Sequence, residues 1–217
     1  MRNFIFDLDG TLINSSNEVL NCLEKAFDKA NYPLDKTRLS TDIIGPPLKT
    51  IISNLTPELD DENKLNEIMK NFRHIYDYDD KDVTEIYSGV YECLDELKNS
   101  KCRIFMATFK PTIPTMRIVK QFKLNYFDDI YTIDKFDRHI TKEEMLADII
   151  EKYKLNPKET AMIGDAQTDM TAAKMTGITG IGALWGYGSD KSGLIENADF
   201  TINTIGELCQ KLNYRTI

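Results

Sequence analysis

The stretch NFIFDLDGTL, residues Asn3–Leu12, decides how the rest of the chain is interpreted. An apolar run, Phe4–Phe6, ends on two carboxylates, Asp7 and Asp9, with only Leu8 between them. Two like charges this close repel each other, so a buried strand that ends on them points to a cation nearby. The plainer alternative is an acidic hairpin turn, because an Asp-Gly pair after an alternating run also favours a β-turn.

The composition limits the classes of function that fit the chain. It has 217 residues, of which 41% are hydrophobic and 29% charged, and its formal net charge is −8. No basic tract is present, which disfavours a nucleic-acid partner, and no apolar stretch approaches the ~20 residues that span a membrane. Four scattered cysteines without a CxxC pair, and no secretory signal, make a cytoplasmic protein with reduced thiols the expectation. Monomer and homodimer both remain open.

The periodicity of apolar residues changes along the chain. Residues 15–80 show only helical spacing, with apolar residues three and four apart. After Ser88–Val90, apolar strands alternate with helices, which favours a parallel sheet with helices on both faces. The sequence therefore predicts an α/β core domain made of residues 1–14 and 84–217, with an inserted α-helical cap domain at residues 15–83.

Polar residues follow several of the predicted strands, at the edge where ligands bind in open parallel sheets. Besides Asp7 and Asp9 they are Thr108 and Lys110 after CRIFMA, Asp165 and Asp169 after TAMI, and Lys142, which begins the helix after DIYTI. Thr141 and Glu144 form a capping-box pattern at the start of that helix. We expect these distant groups to converge at one edge of one sheet.

The chemistry of such a cluster is specific. Crowded carboxylates need a neutralising cation, and oxygen ligands of this kind suit Mg²⁺, which also binds substrate phosphate oxygens. Asp7 can attack phosphorus as a nucleophile, and Asp9 can protonate the leaving oxygen and later activate water. A lysine in the first turn of a helix, such as Lys142, opposes the helix dipole at a cost of up to ~1 kcal/mol, which a nearby anionic site would offset.

Together, DLDGTL, Thr108, Lys142 and GDAQTDM resemble the four motifs of the haloacid dehalogenase (HAD) superfamily. Within it, the chain resembles the phosphoglycolate-phosphatase-like branch. The segment IGPPL at Ile44–Leu48 is similar to the cap loop of that branch, and LWGYGS at Leu184–Ser189 is similar to its late loop. The resemblance covers essentially the whole chain. It implies a Rossmann-like parallel sheet with an inserted helical cap, and a Mg²⁺-dependent phosphatase that acts on a small phosphorylated metabolite.

The resemblance also implies a role for each matching residue. Asp7 would be the nucleophile and a metal ligand, and Asp9 the general acid and base, with its backbone carbonyl on the metal. Asp165 would bind the metal directly, and Asp169 would do so through water or by orienting its neighbours. The expected substrate-binding residues are Gly10, Thr108, Phe109 and Lys142 in the core and Gly45 and Pro46 in the cap.

Two departures from the family pattern leave the substrate open. Bulky Phe109 occupies the second place of TFKP, and no proline follows Lys142 in RHITKEEM. A phosphotransferase or phosphomutase on the same scaffold is the nearest rival, and a non-enzymatic phospho-aspartate switch is a more distant one. Each residue alone also has a plainer explanation: a turn for Asp7 and Asp9, helix N-terminal acids for Asp165 and Asp169.

Overall fold

The computed structural model describes residues 1–45, 47–78, 83–136, 138, 140–187 and 191–211. The strands are β1 (Asn3–Phe6), β2 (Ile13–Asn14), β3 (Glu85–Ile86), β4 (Arg103–Ala107), β5 (Asp129–Tyr131), β6 (Thr160–Gly164), β7 (Thr179–Ala183) and β8 (Phe200–Ile202). The α-helices are α1 (Ser16–Lys29), α2 (Leu48–Leu55), α3 (Glu62–Tyr78), α4 (Val90–Asn99), α5 (Thr112–Gln121), α6 (Lys142–Tyr153), α7 (Gln167–Thr176), α8 (Ser192–Asn197) and α9 (Gly206–Lys211). Short 3-10 helices lie at Lys36–Arg38, Thr41–Ile43 and Pro157–Glu159.

The chain separates into two compact units. Of the described residues, 1–14, 86–186 and 191–211 make up one unit, which we call the α/β unit. Residues 15–85 together with Tyr187 make up the other, which we call the helical unit.

The α/β unit contains a six-stranded sheet in the order β5-β4-β1-β6-β7-β8, and every neighbouring pair is parallel. In register, Phe6 of β1 lies between Met106 of β4 and Ile163 of β6. The chain continues from β1 to one side of it and later returns to the other side. Because the strand order reverses at β1, the carboxyl end of β1 is the switch point where open α/β sheets bind ligands.

The two faces of the sheet bury different apolar sets because successive strand residues point to opposite faces. Phe4 and Phe6 of β1 pack with residues of α4, α5 and α9. Ile5, between them, packs on the other face with residues of α6, α7 and α8. A parallel sheet with helices on both faces was the fold class predicted from the sequence, and it is confirmed.

The helical unit has its own apolar core. The inward stripe of α1, including Leu23 and Phe27, packs with Ile52 of α2 and with Ile68 and Phe72 of α3. These residues recur at helical spacing, which gives each helix one buried face and leaves the other polar.

Some short elements were not anticipated from the sequence. Helix α8 has only six residues, and β2 and β3, which pair in a separate two-stranded sheet, have two each. Segments this short carry too few residues to display a period. Among the described residues, no helix combines the length and the apolar character that crossing a bilayer requires.

Candidate active site

The site begins where β1 and β4 end. The amide of Asp7 donates to Ile163 O at 2.9 Å, and that of Thr108 donates to Tyr131 O at 2.8 Å, so both residues extend the parallel ladder by one bond. After Asp7 the chain turns tightly, and the amides of Leu12 and Ile13 both donate to Leu8 O. The nucleophile candidate is thus held by backbone hydrogen bonds on the rigid centre of the sheet.

Asp165 packs against two glycines. A Cβ at Gly10 would lie 2.1 Å from Asp165 Oδ2, and a Cβ at Gly186 would lie 2.2 Å from Asp165 Cβ. Neither position can hold a side chain without moving the carboxylate, and the φ of Gly10, +76°, further favours glycine there. The Gly of the DLDGTL motif therefore has a packing reason that is specific to this site.

Lys142 lies at the centre of the anionic groups. It is the first residue of α6 and is 3% exposed. Its Nζ donates to Asp7 Oδ1 and to Ala107 O, both at 2.9 Å, and it forms an ion pair with Asp169 Oδ1 at 3.0 Å. The capping box predicted at Thr141 and Glu144 is present and fixes the start of this helix, and with it the origin of the lysine side chain.

Asp169 lies in the first turn of α7, the helix that follows β6, and β6 is a neighbour of β1 in the sheet. Its Oδ2 accepts from the amide of Ala166 at 3.2 Å, which caps the helix. Its Oδ1 is buried and has no hydrogen bond of acceptable geometry from any described residue, although it lies within ion-pair distance of Lys142. The Lys142 ammonium therefore offsets the charge of this buried oxygen, which could also contact a bound cation.

Three carboxylates crowd together at this point of the site. Carboxylate oxygens of Asp7, Asp165 and Asp169 all lie within 4.8 Å of one another, and all three residues are buried. Burial raises the pKa of Asp7 to about 7; Lys142 opposes this shift and Asp169 adds to it. Burial also lowers the pKa of Lys142, but Asp169 and Asp7 outweigh this effect, so the net shift is upward and the lysine stays charged.

A divalent cation fits this geometry. Three buried carboxylates lie close together, and Lys142 pairs with two of them, Asp7 and Asp169. Oxygen donors at close quarters are the ligands that hard cations prefer. The residues able to hold such an ion through side chains are Asp7, Asp165 and Asp169.

The segment after β4 contributes three successive side chains. Thr108 is 1% exposed, and its Oγ1 accepts from the amide of Lys110 at 3.1 Å. Phe109 is 41% exposed, and the centre of its ring lies 4.9 Å from Lys142 Nζ. Lys110 turns inward, and its Nζ donates to both carboxylate oxygens of Asp9, at 3.0 and 3.2 Å.

Lys110 was noted in the sequence as a residue after a strand but was not placed among the site residues. The usable signal was its spacing of two from Thr108, which favours the same side of an extended segment. Of the two cap residues expected to bind substrate, Gly45 lies in the helical unit, in the segment before α2, with a φ of +134°. Pro46 lies outside the described residues.

The chain is similar to known proteins along most of its length. Residues 4–183 match the family model described as haloacid dehalogenase-like hydrolase. The chain is 26% identical to a phosphoglycolate phosphatase of Vibrio parahaemolyticus, over 94% of this chain and 93% of that protein. It is 30% identical to the pyrophosphatase PpaX of Halalkalibacterium halodurans, over 82% and 81%.

A solved structure shows the same architecture. The crystal structure of a predicted phosphatase from Clostridium acetobutylicum is 27% identical, superposes with a TM-score of 0.81, and covers 97% of each chain. The family model spans most of the chain, from β1 to β7, and includes the clustered aspartates and Lys142. The chain therefore belongs to the haloacid dehalogenase-like hydrolases, as its motifs indicated.

Proposed function

We propose that this hydrolase is a Mg²⁺-dependent phosphatase that cleaves a small phosphomonoester through an aspartyl phosphate on Asp7. The observation that carries the proposal is the over-anionic cluster at the switch point. Three buried carboxylates lie within 4.8 Å of one another, and one buried lysine serves two of them. A group that is itself anionic can bind there only together with a cation.

The metal would be held by the side chains of Asp7, Asp165 and Asp169, and the family resemblance adds the backbone carbonyl of Asp9. When bound, Mg²⁺ supplies positive charge that offsets the charge of the phosphoryl group and of the carboxylates. The remaining steps depend on the side chains of this chain.

In the first half of the reaction, a carboxylate oxygen of Asp7 attacks phosphorus. The bond from phosphorus to the leaving oxygen breaks, and Asp9 gives that oxygen a proton. In the second half, water attacks the phosphorus and gives its proton to Asp9, and the bond between phosphorus and Asp7 breaks. Inorganic phosphate leaves, and both aspartates return to their starting state.

Thr108 and Lys142 would hold the phosphoryl group. The Thr108 hydroxyl already accepts a hydrogen bond from the amide of Lys110, so its own hydrogen can be donated to a phosphoryl oxygen. The Lys142 ammonium is fixed by Asp7 and by Ala107 O, so it offers positive charge in one place without first becoming ordered. Phe109, packed beside this ammonium, would form one wall of the substrate site.

Substrate binding by Gly45 and Pro46 stays a prediction from the family resemblance. The names of the relatives suggest phosphoglycolate and pyrophosphate as the first compounds to try. The expected partner is a small phosphorylated metabolite.

The test is phosphate release by the purified protein with Mg²⁺ from phosphoglycolate, pyrophosphate, nucleoside monophosphates and sugar phosphates. We expect turnover of at least one compound, lost when a chelator removes the metal. Product analysis with a sugar phosphate distinguishes release of phosphate from its transfer to another hydroxyl. No release from any ester, or a long-lived phosphate adduct on Asp7 without turnover, would contradict the proposal.

A further inference from the structure

Lys110 is a buried cation that the reaction described above does not use. Its side chain is 2% exposed, and it lies between β4 and α5, two residues after Thr108. Removing an ammonium group from water is costly unless it is paired and hydrogen-bonded. The groups that pair with this lysine therefore indicate its role.

Among the described residues, Asp9 is paired with this lysine. Lys110 Nζ lies 3.0 Å from Oδ1 and 3.2 Å from Oδ2 of the same carboxylate. Rotation of a carboxylate about its last side-chain bond is otherwise broad and nearly unrestricted. A cation placed between both oxygens limits that rotation, while the Asp9 side chain stays 27% exposed and so open to a reactant.

The backbone of Lys110 is itself anchored. Its amide donates to Thr108 Oγ1 at 3.1 Å, and its carbonyl accepts from the buried hydroxyl of Thr115 at 3.4 Å. Pro111 follows immediately and fixes the backbone before α5. The Lys110 side chain therefore extends toward Asp9 from a backbone segment that is held in place by these contacts.

Lys142 and Lys110, both buried, pair with different carboxylates. Lys142 binds Asp7 and Asp169, which both belong to the cluster suited to a metal ion. Lys110 binds Asp9, whose carboxylate is not part of that cluster. The carboxylate assigned to proton transfer has its own counterion, separate from the charges that would surround the metal.

We propose that Lys110 is a positioning residue that orients the Asp9 carboxylate for proton transfer in both halves of the reaction. This inference rests on the proposed function. If Lys110 acts in this way, its loss slows protonation of the leaving oxygen and activation of water, but leaves phosphate binding and attack by Asp7 intact.

The test compares two esters in the presence of Mg²⁺. Nitrophenyl phosphate has a leaving group that departs without protonation. The leaving group of an alkyl phosphomonoester needs a proton, and phosphoglycolate is the first such ester to try. For Lys110→Met we expect kcat/KM for the alkyl ester to fall about 10- to 100-fold, the lower part of the range for general acid catalysis. For nitrophenyl phosphate, kcat and KM should fall together while kcat/KM changes less than about 3-fold, because hydrolysis of the aspartyl phosphate becomes limiting.

Two further variants separate positioning from other roles. Lys120→Met, at an exposed lysine at the end of α5, is the matched control and should leave kcat/KM unchanged for both esters. In an Asp9→Asn background, adding Lys110→Met should cost less than about 2-fold, because the lysine acts through the carboxylate. The double variant removes both charges of the pair and leaves neither one buried without its partner. It therefore still tests the inference if Lys110→Met alone does not fold.

Three results would overturn the inference. Equal loss of kcat/KM for both esters would indicate general structural damage, and a raised KM for both would indicate that Lys110 binds phosphate. Additive losses in the double variant would show that the lysine does not act through Asp9. Failure of the proposed function looks different, because the unmodified protein with Mg²⁺ would then release phosphate from neither ester.

Discussion

Asp7 and Asp129 belong to the same parallel sheet, at the end of β1 and the start of β5, yet they have opposite electrostatic surroundings. Each oxygen of Asp129 accepts two hydrogen bonds: Oδ1 from Lys135 Nζ and the amide of Ile130, Oδ2 from Lys152 Nζ and the hydroxyl of Tyr153. Asp7 has one lysine, which it shares with Asp169.

The pKa values respond in opposite directions. Burial alone raises the pKa of Asp129, but the hydrogen bonds from Lys135, Lys152 and Tyr153 outweigh it and hold this pKa well below the usual range. At Asp7, burial dominates and raises the pKa to about 7. A carboxylate with more donors than it needs is part of the scaffold, whereas one with too few is part of a site that is completed by a ligand.

The largest test of this contrast is Asp7→Asn. We expect the variant to lose at least about 10³-fold in turnover, because an amide cannot form the aspartyl phosphate on which the reaction depends. Phosphate release with Mg²⁺ measures the loss, and circular dichroism checks the fold. Retention of more than about a tenth of the activity would exclude Asp7 as the nucleophile.

The Asp7 side of this contrast was accessible from the sequence, because it follows from the positions of strand ends, whereas the surroundings of Asp129 were not predicted. The residues after β1, β4 and β6 were identified from the strand pattern, and parallel strands necessarily bring their carboxyl ends to one edge. The capping box before Lys142 was also predicted and is confirmed. Strand ends and helix caps depend on a few residues that are neighbours in the chain, and they can therefore be predicted from the sequence.

The pairing of charges was not accessible in the same way. Lys110 and Asp9 are 101 residues apart, and no local pattern states which carboxylate a buried lysine will contact. The same holds for the contact of Gly186 with Asp165. Both depend on how the crossover connections set neighbouring loops side by side, which only the folded chain determines.

The next effect concerns the metal. Asp165→Asn removes one of the three clustered carboxylates, and we expect the affinity for Mg²⁺ to fall about 10- to 100-fold or more. Calorimetric titration of the metal-free protein with Mg²⁺ measures it, and Asp129→Asn is the matched control because its carboxylate lies outside the cluster. Equal affinities in the Asp165 variant and the unmodified protein would remove this residue from the proposed ligand set.

A smaller effect should appear in the pH dependence of stability without metal. The pKa of Asp7 is near 3.8 in the unfolded chain, whereas burial raises it to about 7 in the folded protein. The folded state therefore binds more protons between these values, so the contribution of Asp7 to stability is lost as the pH rises through this window. The loss amounts to a few kcal/mol at most, at about 1.4 kcal/mol for each pKa unit.

Denaturant unfolding at pH 4 to 8, compared between the unmodified protein and Asp7→Asn, isolates this contribution. The stability of the unmodified protein relative to the variant should fall with rising pH. Added Mg²⁺ should stabilise the unmodified protein more at pH 8 than at pH 5, because the ion favours the ionised carboxylate. A difference that does not vary with pH would show that Asp7 is not held protonated.

The smallest effect is expected at the other carboxylate. Asp129→Asn should cost about 1–2 kcal/mol in stability, since its partners are charged but the side chain is 21% exposed and partly screened. Because its folded pKa is depressed, the stabilisation is present above the unfolded value of 3.8 and is lost as the pH falls below it, opposite in direction to Asp7. The deficit of the variant in urea unfolding should therefore be full at pH 7 and shrink toward pH 3, with phosphate release unchanged within about 2-fold. A folded Asp129 variant without activity would mean that this network supports the site, and that donor surplus does not separate scaffold from site in this sheet.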